Sequence, residues 1–447
     1  MKFIPNTPAQ KSAMLRTIGV RTFDELIEGV PHGIRLNRRL AIPEALSEYE
    51  VEDFMQTAAQ QNADFSAMKC LLGGGAYRHH VPAAVRALLS REEFWTSYTP
   101  YQPEMSQGTL QSMFEAQTYF SRLSGLEVVI PSMYDGATAT AEAALVALRL
   151  THRPRVVIAG AVHQYYRETV STYLTPHAVD LIQVPHVQGL VDISQLGRRV
   201  DESVAAVIIQ SPNFLGAIEN VQQIGEVTHA VGALLIVVVA EALSLGVLQG
   251  PGHLGADLIA CDTNSFGVDL SFGGPHNAFL ASRREYLRQL PGRVVGETQD
   301  VEGRRAFVMT ARAREQDIRR EKATSNICSN HGLNVMAANM YLSLLGTEGL
   351  YDLSVLNTKA AHYLEERLVA SGRFSRAFDY PFFNEFALRA CSDPREVTQR
   401  LLAESFVPPL RVGDVLEEEA CRDMLLFCTT ELLSRRDLDR VVEVLSR

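Results

Sequence analysis

The residues able to do chemistry fall at the ends of short apolar runs. Glu241 follows Ala233-Leu234-Leu235-Ile236-Val237-Val238-Val239, and Asn213 sits in Ser211-Pro212-Asn213-Phe214 after the run 205–210. His163 comes just past 155–158, and Asn264 just past 257–260. Asp135-Gly136-Ala137-Thr138 opens an Ala-rich stretch. Each type has a use at such a place. A strand-end carboxylate can keep a ring nitrogen protonated, so that the ring draws electrons. An imidazole can stack on a flat ring. Small residues at a helix start let an anion reach backbone N–H groups. Each also has an ordinary reading: Asp135 and Thr138 as a helix cap, His163 as a locally bonded loop residue, Glu241 as a strand-end cap.

An electron-sink cofactor such as pyridoxal phosphate also needs an amine. Its enzymes carry a Lys about 20–30 positions beyond the carboxylate, which forms the Schiff base. This chain has only five lysines, Lys2, Lys11, Lys69, Lys322 and Lys359, and none between Cys70 and Glu321. Lys322 comes too late. It ends the basic run Arg312, Arg314, Arg319, Arg320, whose interspersed acids predict a solvated, salt-bridged helix. Without the Lys, a carboxylate alone does none of the cofactor's chemistry.

Two loops add polar groups. Gly73-Gly74-Gly75-Ala76-Tyr77-Arg78-His79-His80 is Gly-rich but matches neither a Walker loop nor a dinucleotide fingerprint, so its spacing predicts a flexible turn. Tyr98-Thr99-Pro100-Tyr101-Gln102-Pro103-Glu104, followed by Ser106 and Gln107, makes a stiff loop before a helix.

The elements that must position these residues alternate between two periods. Apolar runs at 127–130, 155–158, 180–184, 205–210, 233–239 and 257–260 read as strands, with 277–281 closing the set. Helical patterns at 136–150, 165–174 and 221–231 lie between them. Continuous apolar strands alternating with helices predict a mostly parallel sheet covered on both faces. Beyond residue 320 come two long helical stretches, 330–345 and 350–371, and then strands at 386–389 and 424–429 with helices at 394–403 and 437–445. Three divisions are expected: an N-terminal helical arm over 1–62, a large α/β domain over 63–325 and a C-terminal α+β domain over 326–447.

Composition narrows the function. At 447 residues, 46% hydrophobic and 21% charged, the chain is an ordinary globular one. Its net charge of −10 argues against non-specific nucleic-acid binding. The longest apolar run, 230–240, stops at Glu241, too short for a membrane span. No apolar signal core opens the sequence, so a cytoplasmic location is expected. The six cysteines are scattered without a C-x-x-C pair, which predicts neither a disulfide framework nor a cysteine metal centre.

Six collinear stretches carry a resemblance: Gly74-Gly75-Ala76-Tyr77-Arg78-His79-His80-Val81-Pro82 with Arg91-Glu92-Glu93-Phe94; residues 98–108; Met133-Tyr134-Asp135-Gly136-Ala137-Thr138-Ala139; Ser211-Pro212-Asn213-Phe214; Ser271-Phe272-Gly273-Gly274-Pro275; and Arg319-Arg320-Glu321-Lys322-Ala323-Thr324-Ser325-Asn326-Ile327-Cys328. Together they resemble subunit 1 (alpha) of the split glycine dehydrogenase (decarboxylating), the P-protein of the glycine cleavage system. The resemblance implies an aminotransferase-like fold, type I among pyridoxal-phosphate enzymes. It implies a homologous beta subunit in an α2β2 assembly, with pyridoxal phosphate on the beta subunit and none on this chain. It further implies that the complex decarboxylates glycine and passes the aminomethyl group to lipoylated H-protein. Asn264 or a neighbour stands near the Lys place, and Glu241-Ala242 replaces the usual Asp-Pro. Tyr98, Tyr101, Ser106, Gln107, Asp135, Gly136, Thr138, His163, Asn213, Glu241, Asn264, Arg319 and Arg320 are then expected at a relic cofactor site or a subunit boundary. The alternatives are a self-sufficient pyridoxal-phosphate lyase, or a free binding or regulatory protein on a relic fold.

Overall fold

A computed structural model describes residues 5–36, 38–65, 67–96, 99–325, 327, 330–416 and 418–447. The chain divides into two compact units at Asp64/Phe65. In the first, helix α1 (Pro8–Ile18) starts on a capping box between Thr7 and Gln10 and stops at left-handed Gly19. Helix α2 (Glu48–Ala59) starts on the same device, Ser47 with Glu50. Neither helix buries a residue. Phe23, Ile34, Ile42, Tyr49 and Phe54 are all exposed.

The second unit is built on a seven-stranded sheet. Its strands are β1 (Val128–Met133), β2 (Arg155–Ala159), β3 (Asp180–Val184), β4 (Val204–Gln210), β5 (Leu234–Val239), β6 (Leu258–Asp262) and β7 (Ala278–Ser282). The spatial order is β1-β7-β6-β5-β4-β2-β3. Pairs β3/β2, β2/β4, β4/β5 and β5/β6 are parallel, and β7 runs antiparallel to both its neighbours. Every residue of β4 and β6 is buried, because crossover helices cover both faces and no strand position meets water. Each Val, Ile or Leu so buried contributes about 1.5–3 kcal/mol. Helices α3 (Gln107–Ser124), α4 (Gly136–Thr151), α5 (Gln164–Leu174) and α6 (Val221–His229) supply much of that cover.

The long segment α7 (Gly332–Ala370) is two helices meeting at Gly346, whose backbone is non-helical, as the two predicted stretches require. A second, four-stranded sheet follows, made from β8 (Phe374–Arg376), β9 (Glu385–Ala390), β10 (Leu410–Arg411) and β11 (Met424–Cys428) in the order β8-β9-β11-β10. It has its own core around Phe386, Leu425 and Phe427, backed by α8 (Pro394–Ala403) and α9 (Arg435–Ser446).

The basic run departs from its expected form. Residues 312–322 make a 3-10 turn, a single turn of α-helix and another 3-10 turn, not one helix. Ala311 and Arg320 both take positive φ, and Arg314 turns inward and is buried, with its guanidinium donating to the Leu290 carbonyl. One helical face cannot keep all its charges solvated and also send Arg314 into the interior. The Arg312–Asp317 pair does form.

Candidate functional site

In a parallel sheet, ligands meet the carboxyl ends of the strands. That edge collects His163 past β2, residues 210–213 past β4, Glu241 past β5 and Asn264 past β6. Asp135 and Gly136 lie beyond β1, at the start of α4.

Glu241 is buried, and both its oxygens are taken. Oε2 lies 2.9 Å from His79 Nε2, and Oε1 accepts from the Leu243 N–H at 3.0 Å. The other ring nitrogen of His79, Nδ1, lies 2.8 Å from Glu431 Oε2. A ring that donates from both nitrogens to carboxylates is an imidazolium. Burial alone would lower the His79 pKa; the charges and hydrogen bonds of Glu241 and Glu431 outweigh it and raise it to about 10. Burial would conversely raise the pKa of Glu431, but the hydrogen bond and charge of His79 bring it down to about 2. Glu431 also accepts from the His80 N–H at 2.6 Å.

The Gly-rich segment carrying His79 is a half-buried strap tied down by hydrogen bonds, not the free turn its spacing predicts. The Gly74 N–H donates to Glu385 Oε1 at 2.6 Å, and the Tyr77 hydroxyl donates to Oε2 at 2.7 Å. A Cβ on Gly73 would stand 2.2 Å from that same Glu385 Oε1. Burial raises the Glu385 pKa to about 7 against the lowering effect of these donors. Gly75, at φ +101°, lies against His163, whose Cδ2 would be 2.8 Å from an added Cβ. His163 Nε2 donates to the Gly74 carbonyl at 2.8 Å while Nδ1 accepts from the Tyr165 N–H at 3.1 Å. This is a neutral tautomer, and burial holds the pKa below the usual value.

The start of α4 is closed by carboxylates of the chain itself. Asp135 Oδ1 accepts from the Thr138 N–H at 2.7 Å in a reciprocal capping box. The Gly136 N–H points to Asp262 Oδ2 at 3.4 Å. Asp262 also accepts from the Asn264 N–H and pairs with His276. Asn264 is buried, and among the described residues neither its Oδ1 nor its Nδ2 has a hydrogen-bond partner.

These residues do not fit pyridoxal phosphate. Asn264 offers no amine for a Schiff base. Glu241 has no free oxygen for a pyridinium. Two carboxylates stand where a phosphate would need bare N–H groups. What the cluster does is fasten: it joins the Gly-rich strap, the main sheet and the segment after β11 through one buried cation between two anions.

The remaining candidates lie elsewhere. Asn213 is saturated, donating to the Gly189 carbonyl and Glu219 and accepting from the N–H groups of Leu215 and Ala217, so it pins its own loop. Gln107 donates to the carbonyls of Pro103 and Phe307 and accepts from the Phe307 N–H, tying its loop to the hairpin 294–310. Ser106 precedes α3 without a side-chain capping bond. Tyr101 is exposed, and Tyr98 lies outside the described residues. Arg319 and Arg320 are exposed, and Arg319 lines a cavity of about 1230 Å³ with Arg149, Arg288, Arg314 and Lys322. Among the described residues no hydrogen bond or ion pair links Arg319 or Arg320 to Glu241 or His79. The residues that sequence reasoning left unassigned are Tyr77, His79, Glu385 and Glu431. Tyr77 and His79 were signalled only by the run 73–80; nothing in the local sequence pointed to Glu385 or Glu431.

Comparison with known proteins agrees over the whole chain. The family model of the glycine cleavage system P-protein matches residues 1–445. A relative from Desulforamulus reducens, named "Probable glycine dehydrogenase (decarboxylating) subunit 1", is 44% identical over 439 residues, covering 98% of each chain. One of the same name from Carboxydothermus hydrogenoformans is 42% identical over 445 residues, covering 100% of this chain and 99% of that one. A solved glycine decarboxylase (P-protein) of the glycine cleavage system, in inhibitor-bound form, superposes with a TM-score of 0.91 at 42% identity, covering 100% of this chain and 99% of that one. A glutamate decarboxylase from Lactobacillus brevis shares only the fold, with a TM-score of 0.66 at 13% identity over 95% of this chain and 96% of that one. The mostly parallel sheet read from the alternating strands and helices, and the collinear motifs with the aminotransferase-like fold they imply, thus meet in one assignment: the chain belongs to the glycine cleavage system P-protein family, as a subunit 1 member of split glycine dehydrogenase (decarboxylating).

Proposed function

We propose that this chain is the non-catalytic, site-shaping alpha subunit of a glycine decarboxylase. A homologous beta subunit carries the pyridoxal phosphate in an α2β2 assembly. The complex decarboxylates glycine and transfers the aminomethyl group to the lipoyl arm of H-protein. One observation carries the reading: no Lys stands between residues 70 and 321, where the strand ends converge, and Glu241 is bonded to His79 on one oxygen and Leu243 on the other. Support for a partner comes from the N-terminal unit, whose two main helices bury nothing and which leaves Phe23, Ile34, Tyr49 and Phe54 in water. A run of exposed apolar side chains of that kind marks a surface meant for another chain.

The test is reconstitution. The chain is purified alone, as a complex with its beta subunit, and the beta subunit likewise alone. Each is incubated with pyridoxal phosphate and trapped with borohydride. The adduct is expected on the beta subunit alone, and glycine-dependent aminomethyl transfer to lipoylated H-protein is expected from the complex only. An adduct on this chain, or full transfer activity without it, would overturn the proposal.

A further inference from the structure

A second cluster of reactive side chains lies apart from the Glu241–His79–Glu431 group and rests on none of the functional reading above. His186 comes from a short hairpin, His186–Val187 paired with Leu190–Val191, which follows β3. Glu418 and Cys421 bracket a 3-10 turn just before β11. The Cys421 N–H donates to the Glu418 carbonyl at 2.9 Å, and the spacing of three places both side chains on one side of that turn. One donor atom from each of the three residues lies within 4.8 Å of the others.

The histidine is the telling member. Its side chain is only 10% exposed, and among the described residues neither ring nitrogen makes a hydrogen bond. Leaving a buried donor or acceptor bare is unfavourable, so such a ring normally finds a partner. Nε2 lies 3.4 Å from Glu418 Oε2, out of hydrogen-bonding geometry. That separation is close to the edge, about 3.3 Å, of a tetrahedron whose centre stands about 2.0–2.1 Å from each ligand atom. The Phe378 ring lies near-perpendicular to it, with centroids 6.0 Å apart. Cys421 is fully buried and has no disulfide partner among the described residues. Two arginines stand nearby: Arg389 is bonded to Asp423 and to the Ala420 carbonyl, and Arg167 faces Glu418.

We propose that His186, Glu418 and Cys421 form a binding site for a divalent transition-metal ion, zinc foremost, with water in the fourth position on the exposed side of Glu418. Imidazole, thiolate and carboxylate together suit zinc or cobalt and are a poor set for magnesium or calcium, which take oxygen ligands. The ion would join the hairpin after β3 to the segment before β11, two stretches far apart in sequence. On binding, the thiol proton of Cys421 leaves to solvent as the metal–sulfur bond forms.

The experiment uses the full chain, stripped with a chelator and titrated with cobalt(II). The expected result is a near-ultraviolet thiolate-to-cobalt band that saturates at one ion per chain and is displaced by zinc. Zinc is also expected to raise Tm. Cys421→Ser should abolish the band. Glu418→Gln, at an exposed position, should keep the fold by circular dichroism and weaken binding by at least about tenfold. No band overturns the proposal. So does a band that survives Cys421→Ser, or one that Cys391→Ser removes, since Cys391 is exposed and free.

Discussion

His79 Nε2 lies 2.9 Å from Glu241 Oε2, and each side chain is at most 3% exposed. The carboxylate that a cofactor enzyme would turn toward a ring nitrogen is thus turned toward a cation of its own chain. Glu431 balances the far side of the ring. The arrangement fastens His79 to segments 162 and 352 residues away.

Removing the cation should therefore be costly. His79→Ala leaves two buried carboxylates facing one another without a counter-charge, and a loss of about 3–5 kcal/mol of stability is expected. Denaturant unfolding monitored by circular dichroism measures it. A loss below 1 kcal/mol, the range of an exposed pair, would show that the cluster is solvated.

The same pair sets a pH window. The folded pKa of His79, about 10, is raised above its ordinary 6.5, so its contribution is complete below pH 6.5 and is lost as pH climbs through 10. The Glu431 pKa is lowered from 4.5 to about 2, so its contribution is present above 4.5 and fades as pH falls toward 2. Thermal unfolding from pH 3 to 10.5 should show both flanks in the parent. His79→Gln should flatten the alkaline one. Equal alkaline slopes in the two proteins would speak against it.

Glu385 behaves oppositely. Its pKa is raised from 4.5 to about 7, so the fold favours the protonated form and stability drops as pH rises from 4.5 to 7. Glu385→Gln cannot titrate. Relative to the parent it should gain stability between pH 4.5 and 7 and stay level above, as read from denaturant midpoints. A constant offset would mean the carboxyl ionises normally.

The strap needs its glycines for space. Gly75→Ala meets the His163 ring at 2.8 Å while at φ +101°, and a loss of about 1–3 kcal/mol is expected. Gly108, in the first turn of α3, has nothing within 4 Å of an added Cβ, so Gly108→Ala should be neutral or stabilising by up to about 1 kcal/mol. Comparing the two by thermal unfolding separates a crowding effect from a general one.

Restoring the amine alone should not restore the cofactor. Asn264→Lys is expected to give no borohydride-stable adduct with pyridoxal phosphate, since Glu241 remains bonded to His79 and Asp135 and Asp262 still close the start of α4. A stoichiometric adduct absorbing like a Schiff base would show that this edge still accepts the ring and its phosphate.

The sequence alone determined the sheet. Its seven strands are largely apolar runs, most continuously so where both faces are covered, as in β4 and β6, so a local pattern reports a global layer. The absence of Lys between 70 and 321 was equally plain and ruled out a Schiff base where the strand ends converge. Hydrophobic period and residue type are local properties. The partners of Glu241 are not: His79 reaches it from a Gly-rich stretch that reads as a turn, and Glu431 reaches His79 from just beyond the last apolar strand. The straight helix expected over 312–322 gave way for the same kind of reason, because burying Arg314 outweighed a regular solvated face. Only the tertiary structure decides such pairings, since charge compensation in a buried site depends on what arrives across the fold and leaves no periodic trace along the chain.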